Sequence, residues 1–130
     1  MNESFIINGS SINNISDFYN EINRLLMKNE DWQLGESLDA LDDALYGGYG
    51  ELIGIDSPHF IWLDSEKSRT ALGIDATRAY YLNKINQPEY FNVKLFQEKL
   101  KNLEEGTGET YFEILLEVFK SHENITLVLR

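Results

Sequence analysis

Apolar residues fall along this chain in blocks of two periods. Ser4-Phe5-Ile6-Ile7, ended by Asn8-Gly9, is a short run closed by a turn signal and predicts a strand. Phe18, Ile22, Leu25 and Leu26 then recur at helical spacing, so a helix is expected from about Asp17 to Met27, starting at Ser16-Asp17. Lys28 to Glu36 is a polar loop holding Trp32 and Gly35. Ser37 is an N-cap candidate for a second helix whose apolar face is Leu38, Leu41 and Leu45, with Gly47-Gly48 as its stop. A short strand is expected at Leu52 to Ile55, and a buried strand at His59-Phe60-Ile61-Trp62-Leu63 after Pro58. Asp64 to Asn92 has no clean period: Thr77 to Lys84 fits a short helix or a strand, and Gln87-Pro88 marks a break.

The last third is clearer. Val93 to Leu103 predicts a helix with Leu95, Phe96, Leu100 and Leu103 toward the core. Glu109 to Ser121 predicts another, with Tyr111, Phe112, Leu115, Leu116 and Phe119 as its stripe. Ile125 to Leu129 is an almost wholly apolar strand, expected in the middle of a sheet or on a well-covered edge. The order β-α-α-β-α-α-β argues for an α/β fold, a small parallel sheet covered by helices. The length of 130 residues suits a single domain spanning 1–130, without internal repeats or low-complexity tracts.

Charge changes the picture more than composition does. The chain is 42% hydrophobic and 12% aromatic, enough for a core, yet its formal net charge is -11. That charge repels phosphates, so direct nucleic-acid binding is not expected and a basic protein is the natural partner. There is no cysteine, which removes thiol chemistry and fits a reducing compartment. Met1 to Ile7 lacks the basic and long apolar regions of a signal peptide, and no run approaches the roughly 20 apolar residues of a membrane span. The expectation is a soluble, cytoplasmic protein, monomeric when free.

The acids are not evenly spread. From Glu30 to Glu51 there are seven carboxylates and neither Lys nor Arg. On the second helix Asp39, Asp42, Asp43 and Tyr46 fall opposite the leucines, because positions three and four apart are neighbours. This ridge admits three readings: a solvated acidic face, a magnesium or calcium site, or a face that binds a cationic protein. The spacing does not match a calcium loop. Trp32 before the ridge and Tyr46 at its end each read first as cover for the core edge, but together with the acids they resemble a set of interface anchors. His59 and His122 accompany no nucleophile, and Gly47-Gly48-Tyr49-Gly50 is no phosphate loop, so neither an enzyme nor a cofactor is expected.

Three segments carry a resemblance: Phe5-Ile6-Ile7-Asn8-Gly9, Ile15-Ser16-Asp17-Phe18, and Gly35-Glu36-Ser37-Leu38-Asp39-Ala40-Leu41-Asp42-Asp43-Ala44-Leu45. Together they resemble the barstar family of intracellular ribonuclease inhibitors. Phe96-Gln97-Glu98, Glu109 to Glu117 and Ile125 to Leu129 follow that family more loosely, and residues 64–92 look like an insertion relative to its shortest members. The resemblance implies a three-stranded parallel sheet packed with helices. It also implies an immunity protein that plugs the basic active site of a ribonuclease toxin with an acidic helix and the loop before it, the loop that holds Trp32 and Gly35. Asp39 and Asp43 match that family's two acidic contacts, Gly47 a contact glycine, and Tyr46 stands at a small polar contact position. Glu117 matches the acid of the last long helix if no gap precedes Ile125; aligning on Val118-Phe119 puts Ser121 there instead. Asp42 occupies a position that is aromatic in barstar, and Gln33-Leu34 replaces a tyrosine pair. An acidic adaptor for a basic, non-nuclease protein is the alternative.

Overall fold

A computed structural model describes residues 2–130; Met1, with which the N-terminal reading begins, lies outside them. The described residues form a small α/β fold of six helices and three strands, in the order β1 (Asn2–Asn8), α1 (Ile15–Leu26), α2 (Leu38–Leu45), β2 (Ser57–Leu63), α3 (Ser65–Ala71), α4 (Ile74–Ile85), α5 (Val93–Glu104), α6 (Tyr111–Lys120) and β3 (Thr126–Leu129). The strands are parallel, in spatial order β1-β2-β3. Pro58 lies in the central strand but precedes the first β3 pair, His59 with Thr126, so its missing N–H spares that ladder.

Register explains which side chains are inside. Phe5, Phe60 and Leu127 align across the sheet, as do Ile7, Trp62 and Leu129. Phe5, Ile7, Phe60 and Trp62 are buried against helices. Phe18 of α1 stacks on Trp62 at 5.5 Å between ring centres, Phe112 of α6 meets Trp62 edge-on at 5.1 Å, and Phe119 meets Phe60 at 5.2 Å. The opposite face carries Ser4, His59 and Thr126, then Ile6, Ile61 and Val128, and all six are half-buried or exposed. Helices therefore cover one face of the sheet, not both. β3 lies at an edge, and its two end residues are exposed, Thr126 on the open face and Leu129 on the covered one. The other edge is guarded: Glu21 accepts the Asn8 N–H, and Arg24 donates to the Ile6 carbonyl.

Four further expectations change. α1 begins at Ile15, because the Asn14 side chain accepts the Asp17 N–H and so caps the helix two residues earlier. Leu52 to Ile55 is not a strand: Gly50–Leu52 is a single 3-10 turn, and Ile53 is exposed. Residues 64–92 hold two helices, α3 and α4. In α4 the apolar residues lie all round the helix, with Ile74 and Leu82 exposed and Tyr81 buried, so no stripe signals it. That segment is woven into the core: Ser68 accepts the Trp62 indole N–H, and Leu72 and Thr77 accept the N–H groups of Phe112 and Tyr111 at the start of α6. Finally, of the expected stripe on α5 only Leu103 is buried, and Leu95 is 44% exposed. α5 packs on α4, where Phe96 meets Tyr81, and not on the sheet.

Candidate functional site

Helix α2 is eight residues long, too short to be stable unaided, and is held by packing and caps. The Ser37 hydroxyl accepts the Ala40 N–H, as its position predicts. Leu41, Ala44 and Leu45 are buried, and Gly47 ends the helix at φ 81, a left-handed conformation that a side chain would strain. The burial of the leucine face turns Asp39, Asp43 and Tyr46 outward, Tyr46 to 74% exposure. Asp42 is half-buried.

The two later aspartates sit in the last turn, where the carbonyl ends of the helix disfavour negative charge and no basic residue compensates. Each instead meets a ring from elsewhere in the chain. Tyr49 donates its hydroxyl to Asp43 at 2.8 Å; burial, helped by that bond, pushes its phenol up to about 12. The Tyr49 ring in turn packs on Trp32 at 4.9 Å. On the other side His122, buried in the turn after α6, places Nε2 2.7 Å from Asp42 Oδ1, and Tyr46 packs edge-on against its ring at 4.6 Å. Trp32–Tyr49–Asp43 and Tyr46–His122–Asp42 thus flank one end of α2. Gly50 permits this approach, since a Cβ there would lie 2.4 Å from the Leu26 carbonyl oxygen.

The loop before α2 is anchored before any partner arrives. Buried Asn23 of α1 accepts the Leu34 N–H at 2.7 Å and donates to the Leu34 carbonyl, while Ser16 donates to Glu36 at 2.7 Å. Trp32, 45% exposed, projects from this tethered loop. Gly35 is exposed, and a Cβ there would meet nothing within 4 Å, so packing does not demand a glycine.

The structure divides the expected residues into two groups. Trp32, Asp42, Asp43, Tyr46 and Gly47 gather at the C-terminal end of α2. Asp39 lies toward Tyr80, whose phenol is raised by burial and then by the Asp39 charge. Glu117 lines a groove with Leu38 and Tyr80, and lies against Glu109. The Glu109 carboxyl is held above the usual carboxylate range, first by the adjoining Glu117 carboxyl. Ser121, the other aligned position, caps α6, its hydroxyl donating to the Val118 carbonyl. His122, Tyr49 and Glu109 are the residues that sequence reasoning missed. Tyr49 lies inside the acidic window and Glu109 eight positions before Glu117, but His122 is 80 positions from Asp42 and carries no local signal.

Among the described residues, no three His, Asp or Glu side chains converge as a metal site, and no helix is long and apolar enough to cross a membrane. No protein-family model matches the chain, and no curated protein matches it.

Proposed function

We propose that this chain inhibits a ribonuclease toxin by seating α2 and its preceding loop in the toxin's basic active site. The observation that carries the reading is the exposed Asp39–Asp43 face of a short helix whose C-terminal end is flanked by two aromatic clusters. A ribonuclease must attract phosphates, so its active site presents Arg, Lys or His. Carboxylates in a rigid array take up those groups through charge-assisted, often bidentate hydrogen bonds. Asp43 is the central anchor in this reading and Asp39 the second, while Trp32 and Tyr46 cover the rim and exclude water. Asp42, held by His122, chiefly positions Tyr46 and adds to the field. The resemblance to barstar supplies the toxin class; the acidic face alone supplies only a basic partner.

The anchored loop favours tight binding, because little ordering cost remains at association. The net charge of -11 speeds encounter with a basic protein and makes it salt-sensitive. A direct test is cleavage of a fluorogenic RNA by small basic ribonuclease toxins, each with and without the purified chain. Stoichiometric inhibition of at least one, weakened by added salt, is the expected result. Capture of a basic partner that cleaves no RNA would replace the inhibitor with an acidic adaptor.

A further inference from the structure

A second feature adjoins the acidic helix. Leu38 at the start of α2, Tyr80 and Tyr81 of α4, Leu95 and Phe96 of α5, and Ile114 of α6 line a groove of about 520 Å³. Leu95 and Phe96 are the N-terminal half of the α5 stripe, apolar positions that an amphipathic helix ordinarily buries. Here Leu95 stays 44% exposed and Phe96, Leu38 and Ile114 are half-buried. Glu109 and Glu117 stand together on one wall, and Lys99 on α5 offsets their repulsion only in part, as the raised Glu109 carboxyl records.

The two properties call for one kind of occupant. An apolar floor favours an aliphatic or aromatic side chain, and paired carboxylates beside it favour a cation with an apolar stem. A free acid or a phosphate is repelled. Leu38 is adjacent in sequence to Asp39, so the groove continues from the acidic helix into the space between α4, α5 and α6.

We infer that this groove is a second docking subsite and receives a basic, amphipathic segment of a partner protein, its apolar side chain on Leu95 and Phe96 and its Lys or Arg at Glu109 and Glu117. That this is the same partner seated on α2 rests on the proposed function; the chemistry of the groove does not.

The probe is a short amphipathic helical peptide with leucine along one face and arginine beside it, titrated into the isotope-labelled chain and followed by amide chemical shifts. Shifts are expected at Leu95, Phe96, Glu109 and Glu117. Affinity should fall about tenfold when Glu109→Gln and Glu117→Gln are combined, a loss typical of a charge-paired contact. A charge-matched control, Glu3→Gln with Glu66→Gln, should change it less than about twofold, since neither residue lines the groove and exposed charges are screened by salt. Shifts that avoid the groove, or an affinity that falls equally in the control, overturn the assignment even if a ribonuclease is inhibited. Groove binding with no inhibition of any ribonuclease upholds it and removes the proposed function instead.

Discussion

Two glutamates set apart the two sides of this molecule. Glu21, on α1 beside the β1 edge, is buried at 6% exposure, yet it is held below the usual carboxylate value. Burial pushes it up, but the Arg24 hydrogen bonds and the Asn8 N–H outweigh that. Glu109, exposed beside α6, is held above the usual value, first by the adjoining Glu117 carboxyl. One acid is completed within the chain and stabilises the fold. The other is incomplete and weakens it slightly. Asp42 and Asp43 lie between these extremes, each given a single ring donor. The contrast separates acids that the chain itself pairs from acids that, under the proposed function, await a partner.

The largest effect that would break this contrast is on binding. Asp43→Ala should weaken inhibition by about 3 kcal/mol, roughly a hundredfold in Kd, because it strands a desolvated cation on the toxin. Its urea midpoint should barely move. A titration of the inhibited toxin beside a denaturation curve checks both halves.

Arg24→Ala should do the reverse. It leaves Glu21 buried with only the Asn8 N–H, costing about 2 kcal/mol of stability in urea denaturation, with inhibition unchanged. The pH dependence has a definite sign. The folded Glu21 carboxyl lies below its ordinary 4.5, so its contribution is present above that value and lost as pH falls through the lower folded value. The variant should therefore lose its deficit relative to wild type in acid.

His122→Ala removes the partner of Asp42 and the ring beneath Tyr46. A stability loss of about 1.5 kcal/mol is expected, by calorimetry, from the buried hydrogen bond and the vacated space. Inhibition should fall less than with Asp43→Ala, since His122 positions contact residues without touching the partner.

The smallest effect sharpens the comparison. Glu109→Gln should raise stability at neutral pH, by no more than about 0.5 kcal/mol given its exposure. A raised folded carboxyl stabilises only below its ordinary 4.5, and that contribution is lost as pH rises through the folded value. The gain should therefore vanish in acid, opposite in sense to Arg24→Ala.

How far the sequence announced all this depends on the period of each segment. The leucine face of α2, its Ser37 cap and its Gly47 stop are local signals, and they placed Asp39, Asp43 and Tyr46 outward. β1, β2 and β3 were legible as apolar runs, but which face stays open depends on helix packing that no single strand encodes. α4 was illegible because its apolar residues surround the helix. α5 misled for the opposite reason: its stripe is real, but Leu95 and Phe96 within it face a groove. His122 could not be found from spacing, since chain folding alone brings it to Asp42, whereas Glu109 lies only eight positions before Glu117.

Under the proposed function the α2 acids serve a partner and not the fold. Co-expression with a ribonuclease toxin that the purified chain inhibits tests this most directly, with growth scored for wild type and for Asp39→Ala combined with Asp43→Ala. Wild type should restore growth; the double variant, melting within a few degrees of it, should not. Equal protection by both chains would contradict the account.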